Sequence, residues 1–290
     1  MRDLSIGVVS LASPPTLARC LDALLPQAQE LGAEVIVVRR SADETTRTAR
    51  SGITWLDAAP GDNVPRMRAA AIGRASGRVV ALIEDDCAVA NGWCRAVLDA
   101  HRRHPVAGGP IEPDGYSSGL DWAVFFCEYA RFMPPFEGEV AALPGNNVSY
   151  TRTLAVEWLE TRGEDGFVDA FAHRDWRAQG LSLWAEGRMA VRNLNRWTPG
   201  AATRSAFHHG RAFAGKRFAG APATRLVFAL GSPLLPALKT FRVAREVLVR
   251  GRRGSLARAL PWIIVFHTSW AAGELIGYLY GPGRSADRWR

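Results

Sequence analysis

Short apolar runs, separated by segments of helical periodicity, constrain this chain most. Leu4–Ser10, Glu34–Val38 and Arg78–Ile83 are continuous stretches rich in β-branched residues, and Ile53–Leu56 is a weaker fourth. Between the first two, Leu17, Cys20, Leu21, Leu24 and Leu25 recur at helical spacing, and Met67–Ala75 is an Ala-rich helical segment ended by Gly77. Strands alternating with helices predict a parallel α/β sheet. Unbroken apolar strands are what such a sheet requires when both of its faces are covered. Further along, Leu120–Arg131, Thr153–Glu160 and Phe167–Gln179 read as helices, Leu143–Tyr150 as a loop entering a strand, and Leu181–Trp184 as a strand. A chain of 290 residues can hold one large domain with an appendage, or two small domains.

The sharpest chemical signal stands directly after the Arg78–Ile83 strand, where Glu84, Asp85 and Asp86 follow one another. In an open α/β sheet the ligand crevice lies at the carboxyl ends of the strands. Three adjacent carboxylates repel one another, and crowding them is costly unless positive charge joins them. Magnesium and manganese prefer oxygen ligands and bridge carboxylates to substrate phosphates. On the triplet alone, a solvated acidic corner is the competing reading.

The wider segment, VPRMRAAAIGRASGRVVALIEDDCAVANGW, resembles the donor site of family 2 glycosyltransferases, whose fold is GT-A. In that family an Arg-containing helix, a small-residue turn, a strand, a D-x-D-like motif and a Trp follow in order. Arg66 or Arg68, Gly73, Gly77, Glu84 to Asp86 and Trp93 fill those places. The resemblance implies a nucleotide-diphospho-sugar donor and a divalent metal, Mg or Mn, with Asp86 as metal ligand and Glu84 and Asp85 nearer the nucleoside. LPGNNVSYTR is similar to the family's acceptor-side segment, giving Gly145, Asn146 and Asn147. FVDAFAHRDWRAQG is similar to its acidic helix, which makes Asp169 the catalytic base, with Asp175 as the rival acid. The usual Glu-Asp pair is absent there, because Val168 precedes Asp169. The acid that family members often carry after the second strand is also absent: Arg39 and Arg40 stand there, with Asp43 or Asp62 as substitutes. The implied chemistry is an inverting transfer, and the resemblance spans roughly residues 4 to 192.

Other motifs carry less. Gly115-Tyr116-Ser117-Ser118-Gly119 matches the G-x-S-x-G pattern of serine hydrolases, but Pro110 and Pro113 spoil the strand that must precede a nucleophile elbow. His208 and His209, in FHHGRAFAGKR, are the best histidine candidates for a donor diphosphate, against a surface basic helix as the plainer reading; His173 reads as structural. Cys20, Cys87, Cys94 and Cys127 fit neither a zinc pattern nor a disulfide framework and read as reduced thiols of a cytoplasmic protein. Met1–Ser10 lacks the features of a signal peptide, so Asn147-Val148-Ser149 is expected to be a chance sequon.

The C-terminal third changes character. From Glu186 onward, 18 Lys and Arg meet 4 acids, whereas the first 185 residues carry 18 bases against 24 acids. Leu226–Leu238 and Ala259–Gly281 are apolar, and an Arg-rich stretch lies between them. Ala259–Gly281 is long enough to cross a bilayer, though Glu274 is costly there. The pattern predicts a GT-A domain over residues 1–200 and a basic helical region over 201–290, held as a membrane-associated or re-entrant hairpin. Two core helices of a soluble subdomain are the alternative. The expected setting is the cytoplasmic face of the cell membrane, with a lipid-linked or glycan acceptor and no nucleic acid. A degenerate GT-A-like binding protein at the membrane is the second functional reading, and a hydrolase using Ser117 the third.

Overall fold

The computed structural model describes residues 2–11, 14–40, 50–162, 165–217 and 222–288. The strands are β1 (Leu4–Ser10), β2 (Glu34–Arg39), β3 (Ile53–Asp57), β4 (Val79–Glu84), β5 (Cys87–Val89), β6 (Val106–Gly108), β7 (Ile111–Pro113), β8 (Gly138–Val140), β9 (Asn147–Thr151), β10 (Leu183–Ala185) and β11 (Val191–Asn193). The helices are α1 (Pro14–Glu30), α2 (Val64–Arg74), α3 (Trp93–Ala100), α4 (Gly119–Tyr129), α5 (Arg152–Arg162), α6 (Asp169–Ala178), α7 (Pro199–Arg217), α8 (Pro222–Gly231), α9 (Leu235–Val249) and α10 (Arg253–Tyr280). The chain forms two compact units, Met1–Asp114 with Phe132–Leu194, and Gly115–Arg131 with Asn195–Arg290.

In the first unit, eight strands run in the order β3-β2-β1-β4-β9-β6-β10-β8, and a small second sheet has the order β5-β11-β7. β1 pairs in parallel with both β2 and β4, and β2 with β3, while β9 lies antiparallel between β4 and β6. All four expected strands form and stand side by side. β1 and β2 are buried along their whole length, whereas β3, at the sheet edge, is half-exposed, which explains its weaker apolar signature. β5, β6, β7, β8 and β11 have three residues each, too short for any alternation to be read in the sequence.

The helices follow their start signals. α2 begins at Asn63, whose side chain accepts the backbone N–H of Arg66 at 3.1 Å, with Pro65 in its first turn. The Gly-Ser-rich stretch before α4 is likewise a helix cap: Ser118 Oγ accepts the N–H groups of Leu120 and Asp121 at 3.1 and 3.3 Å. This accounts for the hydrolase-like pattern around Ser117 as capping chemistry.

The second unit is helical. Leu120 and Val124 of α4 pack with Ala202 and Ala206 of α7 and Phe266 of α10. α7 and α10 approach so closely that a side chain at Gly210 would strike the Trp270 carbonyl, and one at Gly273 the Phe207 carbonyl. Glu274 is buried and accepts hydrogen bonds from Trp270 Nε1 (2.5 Å) and Tyr278 Oη (3.2 Å). Exposed apolar side chains stand on both apolar runs: Leu226, Val227, Leu230 and Leu234 on the first, and Leu260, Ile264, Val265, Leu279 and Tyr280 on the second. Ala223–Val249, 27 residues joining α8, a 3-10 turn and α9, is the one stretch among the described residues long and apolar enough to cross a membrane, with a mean hydropathy of 1.3 over an 18-residue window within it. Pro233 and Pro236 do not break it, because each sits in the first turn of a new helical segment.

The amino-terminal edge of the main sheet is tied by one buried carboxylate. Glu34 accepts from Ser5 Oγ (2.6 Å), Ser76 N (2.9 Å) and Ser76 Oγ (3.0 Å), joining β1, β2 and the turn before β4. Burial alone raises its pKa, but the hydrogen bonds from Ser5 and Ser76 and the charge of Arg2 outweigh burial and lower it. Its contribution is thus full at neutral pH and is lost as pH falls below about 4.5, where the unfolded chain takes up the proton first. Glu34→Ala is expected to cost about 2–3 kcal/mol in urea titration at pH 7 and to flatten the acid side of the stability curve.

Candidate active site

Strand order reverses direction about β1 and β4, so the crevice opens at their carboxyl ends, Ser10 and Glu84. The chain turns there, and the turn is held from β1: Asp85 N donates to the Val9 carbonyl at 3.0 Å, and Ser10 Oγ donates to Asp85 Oδ2 at 2.7 Å. Asp86 is nearly enclosed. Its Oδ2 accepts from Asn193 Nδ2 at 3.0 Å, its Oδ1 from Cys87 Sγ at 3.3 Å, and its carbonyl from Leu194 N at 2.6 Å. Burial, with Glu84 and Asp85 alongside, pushes the Asp86 pKa up to about 8.

Arg68, on the inward face of α2, faces two of the expected site carboxylates at once. Its Nη2 donates to Glu84 Oε1 at 2.8 Å and its Nη1 to Asp169 Oδ1 at 2.5 Å. Burial works against the Arg68 charge, but Asp169 and Glu84 outweigh it and raise its pKa. Asp169 is the first residue of α6, where the helix dipole favours a carboxylate. The backbone at Gly145 lies against this pair: a Cβ there would stand 2.6 Å from Asp169 Oδ2 and 2.9 Å from Arg68 Nη2.

The other expected residues take different places. Arg66 is exposed on the opposite side of α2 from Arg68. Asn147 is fully buried, accepting from Trp93 Nε1 at 3.0 Å and donating to the carbonyls of Met189 (2.6 Å) and Pro110 (3.3 Å). Trp93 and Asn147 therefore brace the floor beneath the site, and the sequon is closed to modification in the fold. Asn146 is buried beside them, its carbonyl 3.4 Å from Cys87 Sγ. Asp175 accepts from Trp158 Nε1 at 3.2 Å and pairs with Arg174, so it serves the α5–α6 contact. His173 meets the Tyr150 hydroxyl at 3.0 Å, and burial lowers its pKa to about 4. His208 meets Ser285 Oγ at 3.1 Å, and His209 stands edge-on to Trp270, both within the helical unit.

Asp62 accepts from Ala59 N at 2.9 Å, and Asp43 lies outside the described residues. An acid that sequence reading passed over does reach the end of the second strand. Asp57, at the end of β3, accepts from Arg39 Nε at 3.1 Å, and the Arg39 guanidinium lies 5.1 Å from the Trp55 ring centre. Asn193 was likewise missed. The signals were present as an acid closing β3 and an amide closing β11, but only strand register makes them neighbours of the site.

Among the described residues no group of three or more His, Cys, Asp or Glu side chains converges as a ready-made metal cage. The donor set nevertheless suits a hard cation. Asp86 offers an enclosed carboxylate with those of Glu84 and Asp85 next to it in the chain, and a partial protein shell completed by substrate phosphate is usual for Mg2+.

In sequence, the chain matches glycosyl transferase family 2 over residues 5–156. In structure it is similar to a mannosyltransferase from Pyrobaculum calidifontis, solved in complex with GDP-Man and Mn2+: TM-score 0.58, 16% identity, 96% of this chain and 87% of that one. It is also similar to GalNAc-T7, solved with UDP, GalNAc and Mn2+: TM-score 0.50, 14% identity, 69% of this chain and 45% of that one. No curated protein matches it. At these identities the structural likeness is one of fold.

The closeness of Gly145 to the Arg68–Asp169 pair gives a direct test. Gly145→Ala should shift the pair and lower turnover by about 10²-fold, the cost of misplacing a reacting group by about 1 Å. The melting temperature should fall less than in Glu34→Ala.

Proposed function

The chain belongs to glycosyl transferase family 2, and on that premise we propose an inverting transfer from a nucleotide-diphosphate sugar to a lipid-linked or other membrane-proximal acceptor. It is a glycosyltransferase with the GT-A fold. The observation that carries the mechanism is the Arg68 bridge, which sets a donor-side acid, Glu84, and an acceptor-side acid, Asp169, on one guanidinium. Asp169 takes the proton of the acceptor hydroxyl as its oxygen bonds to the anomeric carbon, while the bond from that carbon to the diphosphate breaks. Asp86 would hold the divalent cation, Mg2+ or Mn2+, which neutralises the leaving diphosphate when bound. Glu84 and Asp85 face the nucleoside, and Arg68 keeps Asp169 aimed. Gly145 lies on the acceptor side against the Arg68–Asp169 pair, and the buried Asn146, Asn147 and Trp93 support it from beneath. Holding both substrates in this frame makes the attack effectively unimolecular.

Chelation with EDTA, or Asp86→Ala, should abolish turnover and leave the far-UV circular dichroism unchanged. Asp169→Asn should lower kcat by about 10²- to 10⁴-fold with donor binding kept. Full activity after chelation sinks the metal role, and a near-normal Asp169→Asn enzyme moves the base elsewhere.

The catalytic domain expected over residues 1–200 corresponds to the unit Met1–Asp114 with Phe132–Leu194, and the basic helical region expected over 201–290 to Asn195–Arg290, which also takes in Gly115–Arg131. The membrane reading rests on the apolar side chains that Ala223–Val249 exposes. Leu226, Val227, Leu230, Leu234 and Phe241 are exposed. Two cations of that stretch turn inward: Lys239 Nζ lies 4.1 Å from the Trp270 ring centre, and Arg225 donates to the Gly277 carbonyl at 3.3 Å. Arg242 and Arg245, in the same stretch, and Arg252, Arg253 and Arg258 after it are exposed, suited to anionic headgroups of the cytoplasmic leaflet. Apolar insertion survives salt, whereas charge attraction is screened. The full chain should therefore float with phosphatidylglycerol vesicles, stay bound in 1 M NaCl (a Debye length of about 3 Å) and be released by detergent. Failure to bind any vesicle removes the membrane-proximal acceptor.

A further inference from the structure

The carboxylate of Asp86 is gripped from a part of the chain more than a hundred residues away, and the grip has a built geometry. β11 pairs antiparallel with β5 in a register that sets Asn193 opposite Cys87, the residue after Asp86. That register brings Asn193 Nδ2 to 3.0 Å from Asp86 Oδ2, and Leu194 N to 2.6 Å from the Asp86 carbonyl. Asn193 and Asp86 are 2% and 4% exposed, so the amide cannot swing out to water without unpacking the small sheet. β11 is held on its other side by β7, which pairs Val191 with Ile111, a fully buried residue.

An amide suits this position for a definite reason. Glu84, Asp85 and Asp86 already crowd negative charge here, and a fourth carboxylate would add repulsion. A neutral donor instead occupies one lone pair of Asp86 and fixes the plane of the carboxylate. Its remaining lone pairs are then presented in one orientation, as hydrogen-bonded partners do for metal-binding groups generally.

We propose that Asn193 is the positioning residue for Asp86, orienting its carboxylate toward the cation, and that the β5-β11-β7 sheet exists to deliver it. This rests on the reading of Asp86 as the metal-holding residue. Cys87 Sγ, 3.3 Å from Asp86 Oδ1, is the weaker second donor.

The test measures Mn2+ affinity of the full chain directly, by electron paramagnetic resonance of free Mn2+, in the presence of saturating GDP and, separately, UDP. Asn193→Ala and Asn193→Leu, which keeps the branching at Cγ without the polar atoms, each remove the donor. Both should weaken Mn2+ binding by about 10- to 100-fold. The lost turnover should return as Mn2+ is raised above its new dissociation constant, which a misfolded site would not allow. Asn193→His, which keeps a ring N–H, should recover part of the affinity. If either donor-less variant folds and binds Mn2+ within about threefold of the unaltered chain, the positioning role is wrong. It is also wrong if turnover is lost with Mn2+ affinity intact, or if neither variant folds and Asn193→His binds Mn2+ no better than Asp86→Ala. Unchanged Mn2+ binding in Asp86→Ala marks the failure of the underlying metal assignment instead.

Discussion

The Arg68 guanidinium, buried between Glu84 and Asp169, is the interaction on which the site depends. A buried cation is tolerable only with carboxylates on it, and two carboxylates at that distance are tolerable only with a cation between them. The three groups come from α2, the end of β4 and the start of α6, so one charge balance fixes three elements whose residues are up to 101 positions apart. The backbone at Gly145 closes the fourth side. The carboxylates of Glu84 and Asp169 are thereby parts of one electrostatic unit, and neither can be removed without disturbing the other.

A second constraint works at the opposite end of the strands. There Glu34 collects hydrogen bonds from the Ser5 and Ser76 side chains and backbone. With both ends of β1 tied, the central strands are left little freedom to slide, and the carboxyl ends that carry the chemistry inherit that rigidity.

The parts of this plan legible in the sequence were those written locally. β1, β2 and β4 announce themselves because burial on both faces demands unbroken apolar runs, and the acids after Ile83 are conspicuous because nothing apolar dilutes them. Asp169 is singled out by resemblance alone, since Val168 stands in place of the customary neighbour, and its contact with Arg68 joins segments 101 residues apart. Asn193 and Asp57 escaped because their meaning lies in register with a distant strand. Glu34 escaped for a similar reason: it reads as the start of a strand, and its hydrogen-bond donors lie in other segments. The balance of the C-terminal helices was also hidden. Periodicity cannot tell that Glu274 turns toward Trp270 and Tyr278, nor that Lys239 turns away from the apolar face it interrupts.

The units are interleaved along the chain: α4 is made between two portions of the first unit, yet its apolar face packs with α7 and α10. A ribosome delivers α4 long before Phe266 exists. Leu120 and Val124 must then wait without these partners while the later strands of the first unit are still being synthesised. Synthesis proceeds at about 5–20 residues per second, so this wait lasts for seconds, a window in which chaperones or a nearby bilayer can shield the helix. The order of synthesis thus makes the last helix the one that licenses the native state of a segment laid down near the middle.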